Sequence, residues 1–428
     1  MWPTSTFLGM DFTIPAETKA LLDSLDTFIE REIKPLEQED DNIRFFDHRR
    51  EWARTDFENG GKPREDWHEL LGEARRRADA AGFWRHQLTE KFGGNSASNL
   101  EMAIIREHLA HRGLGLHNDL QNEHSIVGNL VMVELLERHG TEEQKEEFIG
   151  GLFRGEWSAG FALTEPEHGS DATWMSTKAV RDASGDWVIN GRKRWNTISP
   201  RATHDFVFAR TSGEPGDAKG ITCFVVPLNA PGVDIPTYWW TFNMPSDHVE
   251  LTLDDVRVPH SAILGEEGEG LTVANTFTHE NRIRQAAAGV GAAQYCIDQA
   301  VDYANNRIVF GKPLSRNQAI QWPLVELHTE AEFVRNTIYK VSQEMDDLKA
   351  AGKHPVAIGD KISMCNYRGN RLVCEAADRA MQVHGGMGYS RHLPFEHIYR
   401  HHRRYRITEG SEEIQMRRVA GTLFGFMK

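Results

Sequence analysis

The sequence predicts an α+β multidomain fold: an N-terminal helical domain over 1–155, a middle antiparallel β-barrel or sandwich domain over 156–265, and a C-terminal antiparallel four-helix-type bundle over 266–428. Two changes of hydrophobic period carry that prediction. Apolar residues recur at spacings of three and four through the first third, alternate in short runs through the middle, and return to the helical spacing after Gly270. A chain of 428 residues is long enough for two or three domains with their own cores.

In the first third, Leu21, Leu22, Leu25, Phe28, Ile29 and Ile33 fall on one face of a helix over 18–34, and similar patterns run through 66–81, 100–111 and 125–139. Thr141 followed by Gln144 predicts a capping box that starts another helix. The charged stretch 40–63, with Gly60 and Gly61, reads as an excursion or loop. The middle third carries β runs at 187–190, 205–210, 221–227 and 248–253, with turns at Ser184–Gly185 and Pro231–Gly232. No helix separates these runs, which favours antiparallel pairing. In the last third, 282–307, 318–350 and 355–384 read as long amphipathic helices. Small residues such as Ala286, Ala287, Ala292 and Ala293 let such helices pack closely.

The net charge of −14 disfavours nucleic acid and anionic membranes, whose fields repel an acidic chain. Four widely spaced cysteines without a CxxC pair suit a reducing compartment. The opening residues carry no basic stretch followed by an apolar run, so no secretory leader is expected. The most apolar window, 126–136, contains Asn129 and Glu134 and is too short to span a bilayer. A soluble, cytoplasmic protein is expected. His392, His397, His401 and His402 cluster in sequence without an accompanying Cys or acid pattern, so a solvated basic helix is expected there and no metal site.

Four segments carry chemistry. In the first, a strand containing Phe161 and Leu163 runs into Thr164, after which Pro166, Gly169 and Ser170 form a tight loop able to hold a polar ring edge or a phosphate. In the second, Trp195 and Thr197 share one face of a strand, with Asn196 between them. A flat aromatic beside a hydroxyl suits a planar redox ring. The third, Gln382, Val383, His384, Gly385, Gly386, closes a long helix with glycines that allow close backbone approach. In the fourth, Glu409 and Gly410 precede Ser411, an N-cap candidate, with Glu412 and Glu413 in the first helical turn. A loop carboxylate so placed can act as a general base on a bound ligand. Each segment alone has a plainer reading: a turn, a core tryptophan, a helix C-cap, a solvated acid.

In this order and at these intervals, the four segments resemble the acyl-CoA dehydrogenase family, and so does the run Arg307, Phe310, Gly311, Lys312, Pro313, Leu314. The resemblance spans about residues 11–420 and agrees with the α–β–α order. It implies a flavoprotein that removes two hydrogens from an acyl-CoA thioester to give the trans-2-enoyl-CoA. FAD then lies between the β domain and the C-terminal bundle, facing Phe161, Leu163, Thr164, Gly169, Ser170, Trp195, Asn196 and Thr197. Ser170 also matches a residue touching CoA. Arg307, Phe310, Gln318, Gln382, Val383, Gly385 and Gly386 match positions that hold the FAD of a neighbouring subunit, which implies a homo-oligomer, a dimer of dimers in much of the family. Ser411 and Glu413 fall at further FAD-contact positions; serine replaces the usual threonine, and Glu413 stands where a neutral glutamine is common. His279, Arg282, Ser170 and Gly410 match substrate contacts.

Glu409 occupies the position of the family's catalytic glutamate. Some members place the base on the helix opening the C-terminal bundle; here Asn281 aligns with it and Glu280 is one residue off, about 100° around the helix, so Glu409 is favoured. Reduced FAD in most such dehydrogenases passes electrons to electron-transfer flavoprotein. Alternatives within the fold are an oxidase that uses oxygen and a catalytically silent FAD or acyl-CoA-binding subunit.

Overall fold

A computed structural model describes residues 13–46, 50–118, 124–353 and 355–426. Its N-terminal helices include α1 (Ala16–Phe28), α2 (Glu65–Ala80), α3 (Asn99–His111) and α4 (Val131–His139). Leu25, Ile29 and Ile33 are buried as their spacing requires, packed with Trp67, Leu71 and Ile105. The Thr141 hydroxyl accepts from the Gln144 amide and the Gln144 side chain accepts from the Thr141 amide, completing the capping box.

The middle segment is one eight-stranded sheet. Its strands are β1 (Ala159–Ala162), β2 (Lys178–Arg181), β3 (Trp187–Thr197), β4 (His204–Arg210), β5 (Ile221–Pro227), β6 (Val233–Tyr238), β7 (His248–Val258) and β8 (Ile263–Leu264). Most pairs are antiparallel as expected, but β1 lies parallel to β4, with Phe161 opposite Phe206. Both faces are covered. Phe206, Phe208 and Val225 pack against Leu130, Leu136 and Phe148 of the N-terminal helices. Val207, Phe224 and Val226 face Ile189, Leu251 and Val256 as the sheet folds over itself. This explains why β4 and β5 read as continuous apolar runs without alternation.

Five helices follow: α5 (Gly270–Asn306), α6 (Gln318–Ala350), α7 (Gly359–His384), α8 (Phe395–Tyr405) and α9 (Glu412–Phe424). Helix α5 begins at Gly270, where the helical spacing returns, twelve residues before the long amphipathic stretch at 282–307. Its first turns are rich in Thr and Asn, poor helix formers on their own, but Val273 and Ala274 pack into the sheet core and hold them. Gly289 of α5 faces Gly369 of α7, where an added Cβ would meet the Gly369 carbonyl oxygen at 3.1 Å. The crossing therefore depends on small residues.

The described parts of the 40–63 excursion, residues 40–46 and 50–63, are folded. Thr55–Asp56 pairs antiparallel with Lys62–Pro63. The Arg54 guanidinium lies 4.0 Å from the Trp67 ring centroid. At its tip, the Ser246 amide donates to the Gly61 carbonyl at 2.7 Å, and the Trp240 indole donates to the Gly60 carbonyl at 3.2 Å. Glu51 pairs with Arg391 and Arg400. The excursion thus ties the N-terminal helices to the β segment and to α8.

The histidine-rich helix departs from expectation. His397, His401 and His402 are buried rather than solvated. The helix packs on α7, with His402 Nδ1 3.4 Å from the Asn370 side-chain oxygen. Burial first, then neighbouring Arg404, holds the His401 imidazole well below its ordinary range. Among the described residues no group of three or more His, Cys, Asp or Glu is placed to hold a metal ion. No helix of the described residues is long and apolar enough to cross a membrane.

Candidate active site

Helix α5 gathers the central elements of the site. Phe277 stacks on Phe161 with ring centroids 4.1 Å apart and an interplanar angle of 9°, fixing the helix against strand β1. Five residues on, about 7.5 Å along the axis, the Arg282 guanidinium donates through Nε to the Glu409 carbonyl at 2.9 Å and through Nη2 at 2.5 Å. Phe161 and the Glu409 loop therefore meet the same short stretch of α5.

Glu409 has φ 56°, in the left-handed region. For a residue with a Cβ this costs roughly 1–2 kcal/mol, and the surroundings hold it. Arg282 grips its carbonyl. Gln415 donates to the Gly410 carbonyl at 2.7 Å and to the Asn366 side-chain oxygen at 2.9 Å. Asn366 in turn donates to the Arg282 carbonyl at 2.9 Å and to the Gln285 side-chain oxygen at 3.1 Å. Asn366, Gln285 and Gln415 are all buried, so this network aligns the loop from beneath, out of water. Burial pulls the Arg282 guanidinium down to about 10, with the Glu409 charge acting in the opposite direction. The Thr408 hydroxyl beside Glu409 is buried without a hydrogen-bond partner.

Glu280 sits elsewhere. Two residues before Arg282, it is turned about 200° around the helix and lines a small cavity with Arg106, Asn129 and Arg284. Burial first, and then the charge of Glu134, raises its carboxyl well above the ordinary range. Asn281 accepts from the Arg284 guanidinium at 3.1 Å. His279 is buried at 1% exposure.

The segments around Thr164 and Trp195 are joined by a buried ion pair. Lys193 and Glu165 meet at 2.9 Å with side-chain exposures of 0% and 1%. Lys193 also donates to the Leu163 carbonyl at 3.2 Å, and the Arg194 amide donates to the Thr164 carbonyl at 2.9 Å. Glu165 further accepts from the Ser176 amide and hydroxyl and from the Thr177 amide. Burial alone raises its pKa, but Lys193 and these donors outweigh that and hold it at about 2.

Strand β3 bulges between Arg194 and Asn196 against β7, and Trp195 takes φ 66°. The bulge shifts the phase, so that Lys193 and Asn196 both point inward while Trp195 is 46% exposed. Trp195 packs on Trp239 at 5.4 Å. The Thr197 hydroxyl lies 3.3 Å from His248 Nδ1. Asn196 is fully buried and donates to Asp205 at 3.0 Å, so its side chain serves the interior. Ser170 and Gly169 are exposed, and an added Cβ on Gly169 would meet nothing within 4 Å. An exposed indole, a hydroxyl and open backbone fit a planar redox ring with a phosphate-bearing tail.

The remaining predicted residues lie at the other end of α5. Tyr303 rests on His384 with centroids 4.4 Å apart, which brings the 307–314 hairpin beside the end of α7. Arg307, Gln318, Gln382, Gly385 and Gly386 are exposed there, and Phe310 is 102% exposed at φ 49°. Val383 is buried. A groove of about 940 Å³ lined by Asp298, Asp302, Arg316 and His328 opens nearby, far in sequence from Glu409. Ser411 stands at the N-cap position but makes no side-chain capping bond. Glu412 pairs with Arg406 at 2.9 Å and Arg371 at 3.2 Å, whereas Glu413 is exposed.

Sequence reasoning missed Glu165, Lys193, Asn366, Gln285 and Gln415 as positioning groups. Opposite charges inside the segments around Thr164 and Trp195 were a usable signal for the first two. Nothing local marks the buried amides, because their partners are far apart in the chain.

The family models for the acyl-CoA dehydrogenase N-terminal, middle and C-terminal domains match residues 40–156, 160–256 and 268–424. The human mitochondrial short-chain specific acyl-CoA dehydrogenase is 33% identical over 344 residues, 80% of each chain. A glutaryl-CoA dehydrogenase of Desulfococcus multivorans is 29% identical over 408 residues, covering 95% of this chain and 96% of the relative. A 3-(aryl)acrylate reductase of Clostridium sporogenes is 32% identical over 350 residues, 80% of this chain and 87% of the relative. Among solved structures, a glutaryl-coenzyme A dehydrogenase in complex with glutaryl-CoA superimposes with a TM-score of 0.78 at 28% identity, over 97% of each chain. With fold, segment order and relatives in agreement, the chain belongs to the acyl-CoA dehydrogenase family of FAD-dependent oxidoreductases.

Proposed function

We propose that the protein catalyses α,β-dehydrogenation of an acyl-CoA thioester to the trans-2-enoyl-CoA, with Glu409 as the base and electron-transfer flavoprotein as the electron acceptor. The observation that carries this reading is the clamp on Glu409: a left-handed loop carboxylate whose backbone is fixed by Arg282 and by the buried Gln415–Asn366 pair.

The α-proton of a thioester is weakly acidic, so its removal needs a carboxylate held at the carbon in a site emptied of water. The Glu409 carboxylate accepts that proton as the Cα–Cβ double bond forms. FAD, when bound, supplies the acceptor for the β-hydrogen and its electron pair. The unpartnered Thr408 hydroxyl and the amides around Gly410 are donors available to a ligand beside Glu409. Trp195, Thr197, Phe161, Leu163 and Thr164 would line the ring, and Gly169 and Ser170 the phosphate side. Relatives named as reductases catalyse the opposite net direction; the electron partner sets that direction, and the base works equally in reverse by microscopic reversibility.

Arg307, Phe310, Gln318 and the 382–386 turn would reach a neighbouring subunit's FAD in a homo-oligomer, a dimer of dimers. The exposed Phe310, Trp322, Val325 and Phe333 support this, since large apolar groups left on the surface of the 307–314 hairpin and of α6 suit a subunit contact. The division at 1–155, 156–265 and 266–428 is part of the same reading. The four cysteines are free and buried, which suits a cytoplasmic setting.

The test is an anaerobic titration of the FAD-loaded protein with acyl-CoA thioesters of varied length and branching, followed by the visible flavin band. The expected result is stoichiometric bleaching by at least one thioester. A fully loaded protein that no thioester bleaches, and whose reduced form no enoyl-CoA reoxidises, would refute it.

A further inference from the structure

A second cluster of charged side chains lies where the N-terminal helices meet the turn after β3. His68 and Arg75, seven residues apart, lie two turns apart on one side of α2. Arg75 Nε lies 3.4 Å from Nδ1 of the buried His124, whose Nε2 lies 2.8 Å from the Leu116 carbonyl. Arg201 stands in the turn four residues beyond Thr197, its amide bonded to the Ile198 carbonyl at 2.9 Å. Nη1 of Arg201 and Nδ1 of His68 are both shielded from solvent without a hydrogen-bond partner. Neither Arg75 nor Arg201 has a carboxylate within ion-pair distance among the described residues. Asp247 and Glu65 act on Arg201 only through longer-range charge, and Asp247 is engaged with His248 at 2.8 Å.

Two half-buried guanidiniums that feel each other's charge, with no carboxylate in ion-pair contact among the described residues, are costly. The surroundings register that cost. Burial, then Arg201 and Arg75, pushes the His68 imidazole down to about 3. Burial, then Arg75, pulls Arg201 down to about 10. Burial and then Arg75 likewise depress His124. Elsewhere in the chain, half-buried arginines such as Arg85, Arg335 and Arg406 each have a carboxylate at close range.

We propose that His68, Arg75 and Arg201, backed by His124, form an oxyanion-binding site that takes a carboxylate or phosphate. Arg75 and Arg201 supply charge-assisted hydrogen bonds, and neutral His68 donates from its shielded nitrogen. The site borders the strand that carries Trp195 and Thr197. It also adjoins the 124–130 segment, whose Val127 and Gly128 carbonyls are held by Arg106 at 2.6 and 2.7 Å. The anion is therefore either a carboxylate at the far end of the acyl group, an option that rests on the function proposed above, or a separate small anion.

Three measurements on the FAD-loaded protein separate these sources. Isothermal titration in chloride-free buffer with inorganic phosphate and with free glutarate reads the separate anion. A KM comparison of two acyl-CoA thioesters of equal length, one ending in carboxylate and one in methyl, reads the acyl group. The His68 imidazole NMR shift against pH reports occupancy in wild type without any substitution. Saturable binding of a free anion, weakened at least tenfold by Arg201→Gln and by Arg75→Gln, with the His68 titration moving upward, supports a separate anion. A KM at least tenfold lower for the carboxylate-ended thioester, lost in Arg201→Gln, supports the acyl source. The proposal is overturned if no anion binds saturably, the His68 titration does not move, and the two thioesters behave alike. The free-anion and NMR measurements stand even if no thioester reacts.

Discussion

Replacing Lys193 by Met isolates the contribution of the ion pair that joins the segments around Thr164 and Trp195. In the wild type, Lys193 and the other donors hold Glu165 down at about 2 against burial, while burial lowers Lys193 itself, so the two charges depend on each other for their place in the interior. Removing Lys193 leaves Glu165 at 1% side-chain exposure with its cation gone. Breaking a buried pair from one side costs about 3–5 kcal/mol. The donors from Ser176 and Thr177 remain, which places the expected loss at the low end, about 3 kcal/mol. The Leu163 carbonyl also loses its donor, so FAD retention should fall along with stability. The assay is a double-mutant cycle of Lys193→Met, Glu165→Gln and both together, read by urea midpoint and by flavin content after gel filtration. The double variant should recover much of the loss. A single variant that unfolds within about 0.5 kcal/mol of wild type and keeps its flavin would refute the reasoning. The sign with pH is fixed as well: because the folded Glu165 pKa is depressed, its contribution is present above 4.5 and is lost as pH falls toward about 2.

Two further outcomes follow from other residues. Gln415→Leu removes the support under Gly410 and leaves the Asn366 side-chain oxygen without its donor. It should lower kcat by at least tenfold while acyl-CoA binding, read by flavin spectral perturbation, stays within threefold; equal losses in both would make the network merely structural. Asp205, buried beside Asn196 and Ser199, has its carboxyl raised by burial from 3.8 to about 7. A raised acid disfavours folding as it ionises, so wild-type stability should fall as pH rises from 3.8 through about 7. Asp205→Asn should flatten that slope, measured as Tm against pH, and an unchanged slope would contradict the assignment.

Much of the architecture was legible because periodicity reports burial directly. The helix at 18–34 and the capping box at Thr141 follow from single-face spacing and local hydrogen bonding, which need no distant partner. The start of α5 at Gly270 was legible as a return of the helical spacing, while what holds its polar first turns, Val273 and Ala274 in a sheet core assembled from remote residues, was not. The buried histidines of α8 were misread for the same reason: a polar sequence looks solvated until a second helix covers it. At the site, the sequence pattern singled out Glu409 as a candidate, while its left-handed backbone and the amides that hold it carry no local signal. The bulge at Trp195 also escaped the pattern, since one inserted residue resets the alternation.

The measurement that bears most directly on the central claim is stopped-flow reduction of the FAD-loaded enzyme by a reactive acyl-CoA, with Glu409→Gln and Glu280→Gln alongside wild type. The account predicts that Glu409→Gln still binds the thioester but reduces its flavin at least about 10²-fold more slowly. It predicts that Glu280→Gln stays within a few-fold of wild type. Flavin reduction in Glu409→Gln at the wild-type rate, or its loss in Glu280→Gln alone, would contradict it.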